Sequence, residues 1–485
     1  MAFKHGVYKQ EVPTSLIPVV QMEAGLPVIV GTAPVFMKDS ANVNKPVLCY
    51  SYDEAINAFG YSSDWEKYTL CEFIYSQFAL YGAAPCVLIN VLDVARHKEV
   101  KALANFTVND RQINLGQDVI ISAGLTFETG TTYKLNEDYT LSYDDDGNAI
   151  LNIISTGQMK SLSTCKIGFT AAKPDSVTSS DIIGGVDVNT GEYKGLELIN
   201  AVFPKFRIVP GLIGSPKFSE LPAVAAVMRA KADNINGIFT GQAVIDIPSD
   251  SEGAPNYQSV PEWKNLNNYM AEREIVCWPK IKLGDNVFHL STQLIGVMNK
   301  TDKARGDVPY KSPSNELLQM DSCVNAAGQE IMLGLEQANY LNSQGIVTAL
   351  NWIGGWRAWG NRTGCYPANT DVKDAFIPVR RMFDYVGNQF ILTFWQKVDE
   401  PLTIRLIRTI INSFDMYLNS LQARDMILGG RVEFIESENA IINLMDGKLF
   451  LHIFMTPPSP AEDIEGILEY DPAYVAELFE AMHTV

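Results

Sequence analysis

Leu26-Pro-Val-Ile-Val-Gly31 and Ala84-Pro-Cys-Val-Leu-Ile-Asn-Val91 are short, almost continuously apolar and rich in β-branched residues. Neither alternates with polar residues, so each reads as a buried strand rather than as one with a wet face. Between them the spacing predicts a short helix near Ser51–Phe59 and a longer one near Thr69–Leu80. Apolar strands alternating with helices make an α/β layer. This is the expected host architecture.

Outward from those runs the grammar changes twice. Before Leu26, from Gly6 to about Glu23, Val7, Tyr8 and Val12 are strand formers, but Pro13 and Pro18 interrupt the segment. A proline cannot donate to a central ladder, so this reads as an extended arm. From about Ala104 to Gly184 short alternating stretches dominate: Ile113–Leu115, Val119–Ile121, Tyr133–Leu135, Tyr139–Tyr143 and Ile150–Ile154. Asp146-Gly147 between the last two is a hairpin signal. The segment reads as a small all-β domain inserted into the α/β host. A calcium loop on Asp144, Asp146 and Asn148 fails, because Ala149 and Ser155 stand where an EF-hand wants glycine and glutamate.

After Gly184-Gly185 the α/β pattern resumes, with strands expected at Lys205–Val209, Asn236–Thr240, Val244–Ile247 and Glu274–Trp278. Helices are expected at Leu221–Ala232 and Val260–Tyr269. The last part carries an expected helix at Ile377–Val386, a strand at Gln389–Trp395 and a helix Leu402–Leu421 opened by Pro401. Strands Arg431–Ile435 and Lys448–Met455 precede Pro457-Pro458-Ser459-Pro460 and a tail.

The composition narrows the function. The chain has 485 residues, 47% hydrophobic and 19% charged, enough for about three cored domains. Its formal charge of -18 argues against a nucleic-acid coat, which needs clustered Lys and Arg. No run of about 18 apolar residues and no apolar leader segment is present, so a soluble cytoplasmic product without membrane insertion is expected. The seven cysteines are widely spaced and form no CxxC pair, so reduced, buried thiols are expected and no metal site.

Catalysis finds little support. GxSxG, HExxH, GxxxxGK[ST] and GxGxxG are all absent. His289 and His452 sit in apolar stretches that suit a satisfied core or edge histidine. No catalytic residue and no cofactor is assigned. Two other readings stay open: a hydrolase on the α/β host, and a surface adhesin suggested by the β insertion.

Four stretches in order resemble the sheath proteins of contractile phage tails and related injection machines. They are Phe3–Tyr8 leading to Ala24–Gly31; Ile183–Asp187 with Thr190-Gly191 and Lys194–Glu197; Thr301-Asp302 with Arg305-Gly306 and Ser312–Asn315; and Trp352–Thr363. The resemblance covers most of the chain. It implies an α/β multidomain fold with a non-catalytic, subtilisin-like middle domain. Residues 1–23 would be an N-terminal arm, 24–103 the first part of the α/β domain and 104–184 the inserted β domain. Residues 185–349 would be the subtilisin-like domain, 350–460 a C-terminal α/β domain and 461–485 a C-terminal arm. It also implies self-assembly as stacked hexameric rings around an inner tube protein, with baseplate and terminator partners, in a particle put together in the bacterial cytoplasm.

Physical reasoning then selects the surfaces. Arms too short for their own core must be ordered elsewhere, which points to Val7, Tyr8 and Val12 at one end and Ile464, Ile467, Leu468 and Tyr470 at the other as subunit contacts. The bland alternative folds each arm back on its own subunit. An acidic chain that grips a tube calls for local basic residues, and Arg405, Arg408 and Arg424 on or after the Leu402–Leu421 helix are the tube-facing candidates. Trp352, Trp356 and Trp359 with Arg357 and Arg362 read as cation–π pairs locking a loop, or alternatively as a base or glycan site.

Overall fold

The computed structural model describes residues 22–475, apart from 39–41, 129–131 and 145, together with residue 477. Eight strands form the main sheet: β1 (Pro27–Gly31), β2 (Val47–Cys49), β3 (Cys86–Asn90), β4 (Leu212–Gly214), β5 (Gln242–Asp246), β6 (Glu274–Cys277), β7 (Ile346–Trp352) and β8 (Gly355–Trp359). Their spatial order is β8-β7-β6-β5-β4-β1-β3-β2. The six inner strands run parallel, while β2 and β8 close the two edges antiparallel. Every residue of β1, β3, β4, β5 and β6 is buried, the burial expected when helices cover both faces of a parallel sheet. Packing between β1 and β4 is close enough that a side chain at Gly211 would sit 2.0 Å from the Ala24 carbonyl oxygen.

Between β3 and β4 the chain leaves this sheet and builds two three-stranded antiparallel sheets. One holds Lys98–Thr107, Thr164–Ala172 and Leu125–Phe127, the other Gln112–Gly116, Ala149–Ile153 and Tyr139–Tyr143. They share an apolar cluster of their own, including Ile113, Leu151, Met159 and Ile167, separate from the main core. Gly147 takes φ 80° in the turn that joins Tyr143 to Ala149. The Asp144 carboxylate accepts the Asp146 and Asn148 backbone N–H groups there, which makes an Asx-stabilised turn.

Several sequence expectations change. Gln389–Trp395 is not a strand: helix α2 (Ile377–Phe394) runs straight through, and α1 (Leu290–Lys303) and α3 (Ile404–Gln422) are the other two long helices used below. Phe390 and Phe394, four apart, both pack on Phe414 of α3, at 5.2 and 6.0 Å between centroids, so helical spacing overrode a β-rich composition. Lys205–Val209 is not a strand either. Helix Ile199–Phe206 runs past Pro204 and stops at Arg207, which is left-handed, and the strand begins only beyond Pro210-Gly211. Asn236–Thr240 is a turn closed by Ile235 and Phe239, with Asn236 and Gly237 at positive φ. Val119–Ile121 and Tyr133–Leu135 make only isolated bridges. Pro401 lies outside α3, whose cap is Thr403 accepting the Leu406 N–H at 3.2 Å.

The C-terminal part is welded to the sheet by polar contacts. Asp384 of α2 accepts the Gln242 side-chain amide at 2.6 Å, the Thr240 hydroxyl at 3.1 Å and the guanidinium groups of Arg273 and Arg380. A buried carboxylate satisfied by so many donors fixes a helix in register as apolar packing alone does not.

Candidate assembly surfaces

The C-terminal segment departs from the body at a definite place. Pro457 is buried and Pro458 and Pro460 are half-buried, whereas every residue from Ala461 to Tyr474 is exposed. Ile464, Ile467, Leu468 and Tyr470 are 84, 83, 98 and 81% exposed. Beyond its root at Glu462, the described part of this segment leaves its apolar side chains exposed. Val7, Tyr8 and Val12 lie outside the described residues.

Just before the arm, strands Gly429–Glu433 and His452–Thr456 form a two-stranded antiparallel sheet, with no third strand among the described residues. A two-stranded ribbon leaves two ladder edges able to accept another chain. Val432 spends its N–H on the Asp415 carboxylate of α3 at 2.7 Å, which ties the ribbon to that helix.

Helix α3 is amphipathic. Ile410, Phe414, Leu418 and Leu421 are buried at three- and four-residue spacing, and Arg405 and Arg408 stand on the exposed side with Arg424 just past the end. Arg424 donates from Nε to the Ser420 carbonyl at 3.2 Å. At the start of α3, Leu402, Ile404 and Ile407 line a groove of about 340 Å³ with Ile441, Leu444 and Met445. Ile404, Ile441 and Met445 are 71, 79 and 81% exposed. The groove places apolar surface beside two arginines.

The Trp-Arg stretch forms the β7–β8 hairpin, turned at Gly354 and Gly355 with φ 83° and 96°. Its cation–π pairing differs from the expectation. Arg362 stacks not on a tryptophan but between Tyr366 and Phe376, with ring centroids 4.4 and 3.7 Å from the guanidinium carbon. Arg357 instead donates to the Asn315 carbonyl at 2.6 Å.

Sequence reasoning missed a buried ionic cluster at the carboxyl ends of the parallel strands. His289 Nδ1 lies 2.9 Å from Glu72 Oε2, and its Nε2 lies 3.6 Å from Glu220 Oε1. Burial works against charge on this imidazole, but Glu72 and Glu220 outweigh it and hold its pKa above the ordinary value. Asp246, at the end of β5, accepts the hydroxyls of Ser219 and Ser291 and the Ser291 N–H. The histidine thus faces carboxylates, and both serine hydroxyls are bound to an aspartate. Within the cluster no base confronts a nucleophile, and its groups are buried apart from the half-buried Glu220. The cluster cements the helices to the sheet. At the surface, His452 pairs with Glu438.

No family model matches the chain. It is 26% identical over 488 residues to the tail sheath protein of Burkholderia phage BcepMu, with 98% of each chain covered. It is 25% identical over 324 residues to the tail sheath protein of Escherichia phage P2, covering 63% of this chain and 74% of that one. Among solved structures, the sheath complex of an extracellular contractile injection system, PVC, in its contracted state aligns with a TM-score of 0.57 at 14% identity, covering 98% of this chain and 99% of that one. The contracted helical sheath of the anti-feeding prophage aligns with a TM-score of 0.56 at 16% identity over 96% of this chain and 99% of that one. These relatives are structural proteins, not enzymes. Along nearly its whole length the chain is thus similar in sequence to a phage tail sheath protein, and its fold is that of the contractile sheath structures.

Proposed function

We propose that this chain is the repeating subunit of a contractile sheath. It polymerises as stacked hexameric rings around an inner tube and shortens to drive that tube through a target cell envelope. The observation that carries this reading is the C-terminal arm, whose four large apolar residues are exposed beyond a proline-rich root. Leaving such surface in water is unfavourable by ~25 cal/mol per Å², and pairing with a neighbour removes it. Heterologous contacts of this kind, repeated without closure, generate a helical filament. The unpaired ribbon of Gly429–Glu433 and His452–Thr456 offers a neighbour's arm a ladder to join. Contraction is a passage between two packings of the same polymer, and the arms keep subunits linked while their bodies shift.

In this reading the β-rich segment stands on the outside of the assembly, while Arg405, Arg408 and Arg424 face the tube. Baseplate and terminator proteins cap the two ends, and assembly takes place in the bacterial cytoplasm before the particle acts. No cofactor enters. Electron microscopy of the purified protein at rising concentration tests the proposal. Striated tubes support it, and dispersed monomers at every concentration overturn it.

A further inference from the structure

We propose that Arg362 and Glu462 form a releasable clasp that holds the root of the C-terminal arm on its own subunit and fixes where the arm is handed to a neighbour. The inference rests on the arm-linked assembly proposed above. Arg362 is preset for this task. Its guanidinium lies between the Tyr366 and Phe376 rings, and its side chain is only 15% exposed. Backbone bonds on either side, from Ile377 N–H to the Asn361 carbonyl and from Thr363 N–H to the Ala375 carbonyl, hold the residue in place. One edge of the fork remains open. Glu462 fills it: Nε donates to Oε1 at 3.0 Å, and Nη2 donates to Oε2 alongside. Paired, charge-assisted bonds to a stacked guanidinium are specific as well as strong.

The rest of the root is barely attached. Between buried Pro457 and Glu462 the chain spans a polar cleft of about 760 Å³, lined by Tyr310, Asn315, Asn342 and Trp359 on the body side. The strap is anchored to its subunit at its two ends, one apolar at buried Pro457 and one ionic at Glu462, with Pro458 and Pro460 half-buried between them. Pro457, Pro458 and Pro460 stiffen it, so the second point decides the arm's direction. The Glu462 side chain is 44% exposed, which leaves the ionic point open to water and reversible. Beyond it, Asp463 and everything through Tyr474 is free for a partner.

The test uses the full chain. All seven native cysteines are buried, so nitroxides placed at Ser343→Cys and Ser459→Cys, across the cleft, label selectively. Spin-labelled chains diluted into unlabelled protein give a narrow distance distribution in the parent. Glu462→Ala and Arg362→Lys broaden it, and each lowers the yield of tubes roughly fivefold at a concentration where the parent half-assembles. Glu462→Ala removes only a half-exposed side chain, so its fold is retained even where an Arg362 variant is less stable. An unchanged distribution in Glu462→Ala overturns the clasp. So does a broadened one with parental tube yield. A chain ending at Asp463 separates the two ideas: if it cannot polymerise while Glu462→Ala does so normally, only the clasp falls. If the truncated chain polymerises like the parent, the arm linkage falls.

Discussion

Arg381 of helix α2 and Asp302 of helix α1 meet as an ion pair whose side chains are only 3 and 1% exposed. Together with the Asp384 network, this contact ties the C-terminal part to the α/β body. Burial lifts the Asp302 carboxyl above its ordinary pKa against the opposing pull of Arg381. The pair thus adds little net stability, but losing one partner is severe. Asp302→Ala strands a buried guanidinium and is expected to destabilise the chain by ~3–5 kcal/mol. The double variant Asp302→Leu with Arg381→Met is expected to lie much closer to the parent. Chemical denaturation of the unassembled protein checks both.

Glu274 gives a pH signature. Burial raises its pKa from 4.5 to about 7, although the Ala271 N–H donates to Oε2 at 2.9 Å and opposes the shift. The folded state holds this proton more tightly than the unfolded state does. Its contribution is therefore best below about pH 4.5, declines as the pH rises to about 7, and is constant above that. The shift corresponds to roughly 3 kcal/mol. Glu274→Gln is expected to flatten that part of the stability profile and to gain most at pH 8. Denaturation midpoints of both proteins from pH 4.5 to pH 8 make the comparison.

The β-rich segment is expected to be dispensable for polymerisation. Lys98 and Ala172 are cross-strand partners, so a short turn joining them leaves the host chain without a gap. The excised segment takes its own apolar cluster with it. A shortened chain that folds and still forms tubes agrees with an outward position. One that folds yet stays monomeric counts against it.

Arg405 and Arg408 are exposed on α3, so reversing both to glutamate is expected to leave folding unchanged. Attachment to the inner tube is expected to weaken, more so at low ionic strength, where charge contacts act farther. Co-sedimentation with tube protein across a salt series reads this. Unchanged co-assembly at moderate salt removes both residues from the tube contact.

How much of this was legible in the sequence depended on the range of the interaction. The runs at Val28–Val30 and Val87–Ile89 read as buried strands because both faces are covered, so nothing in them alternates. The Asp146-Gly147 turn was legible because positive φ leaves a residue-type signature. Gln389–Trp395 misled because aromatic and β-branched residues suit a strand, and only its partner Phe414 on another helix decides the matter. The exposure of Ile464, Ile467, Leu468 and Tyr470 was legible because these apolar residues are stranded beyond prolines. The Arg362–Glu462 ion pair was not, because the two stand 100 positions apart, and no local pattern pairs them. The same holds for Asp302 and Arg381, 79 positions apart.

The central claim is that extended arms link the subunits, and removing residues 1–20 tests it most directly. Val7, Tyr8 and Val12 go with that segment. Ordering it in a neighbour costs about 1–2 kcal/mol per backbone residue, which cross-subunit pairing must exceed. Electron microscopy of the truncated chain, beside the parent at equal concentration, is expected to show a folded, soluble monomer and no tubes. Truncated protein that still assembles into tubes and contracts as the parent does would contradict the account.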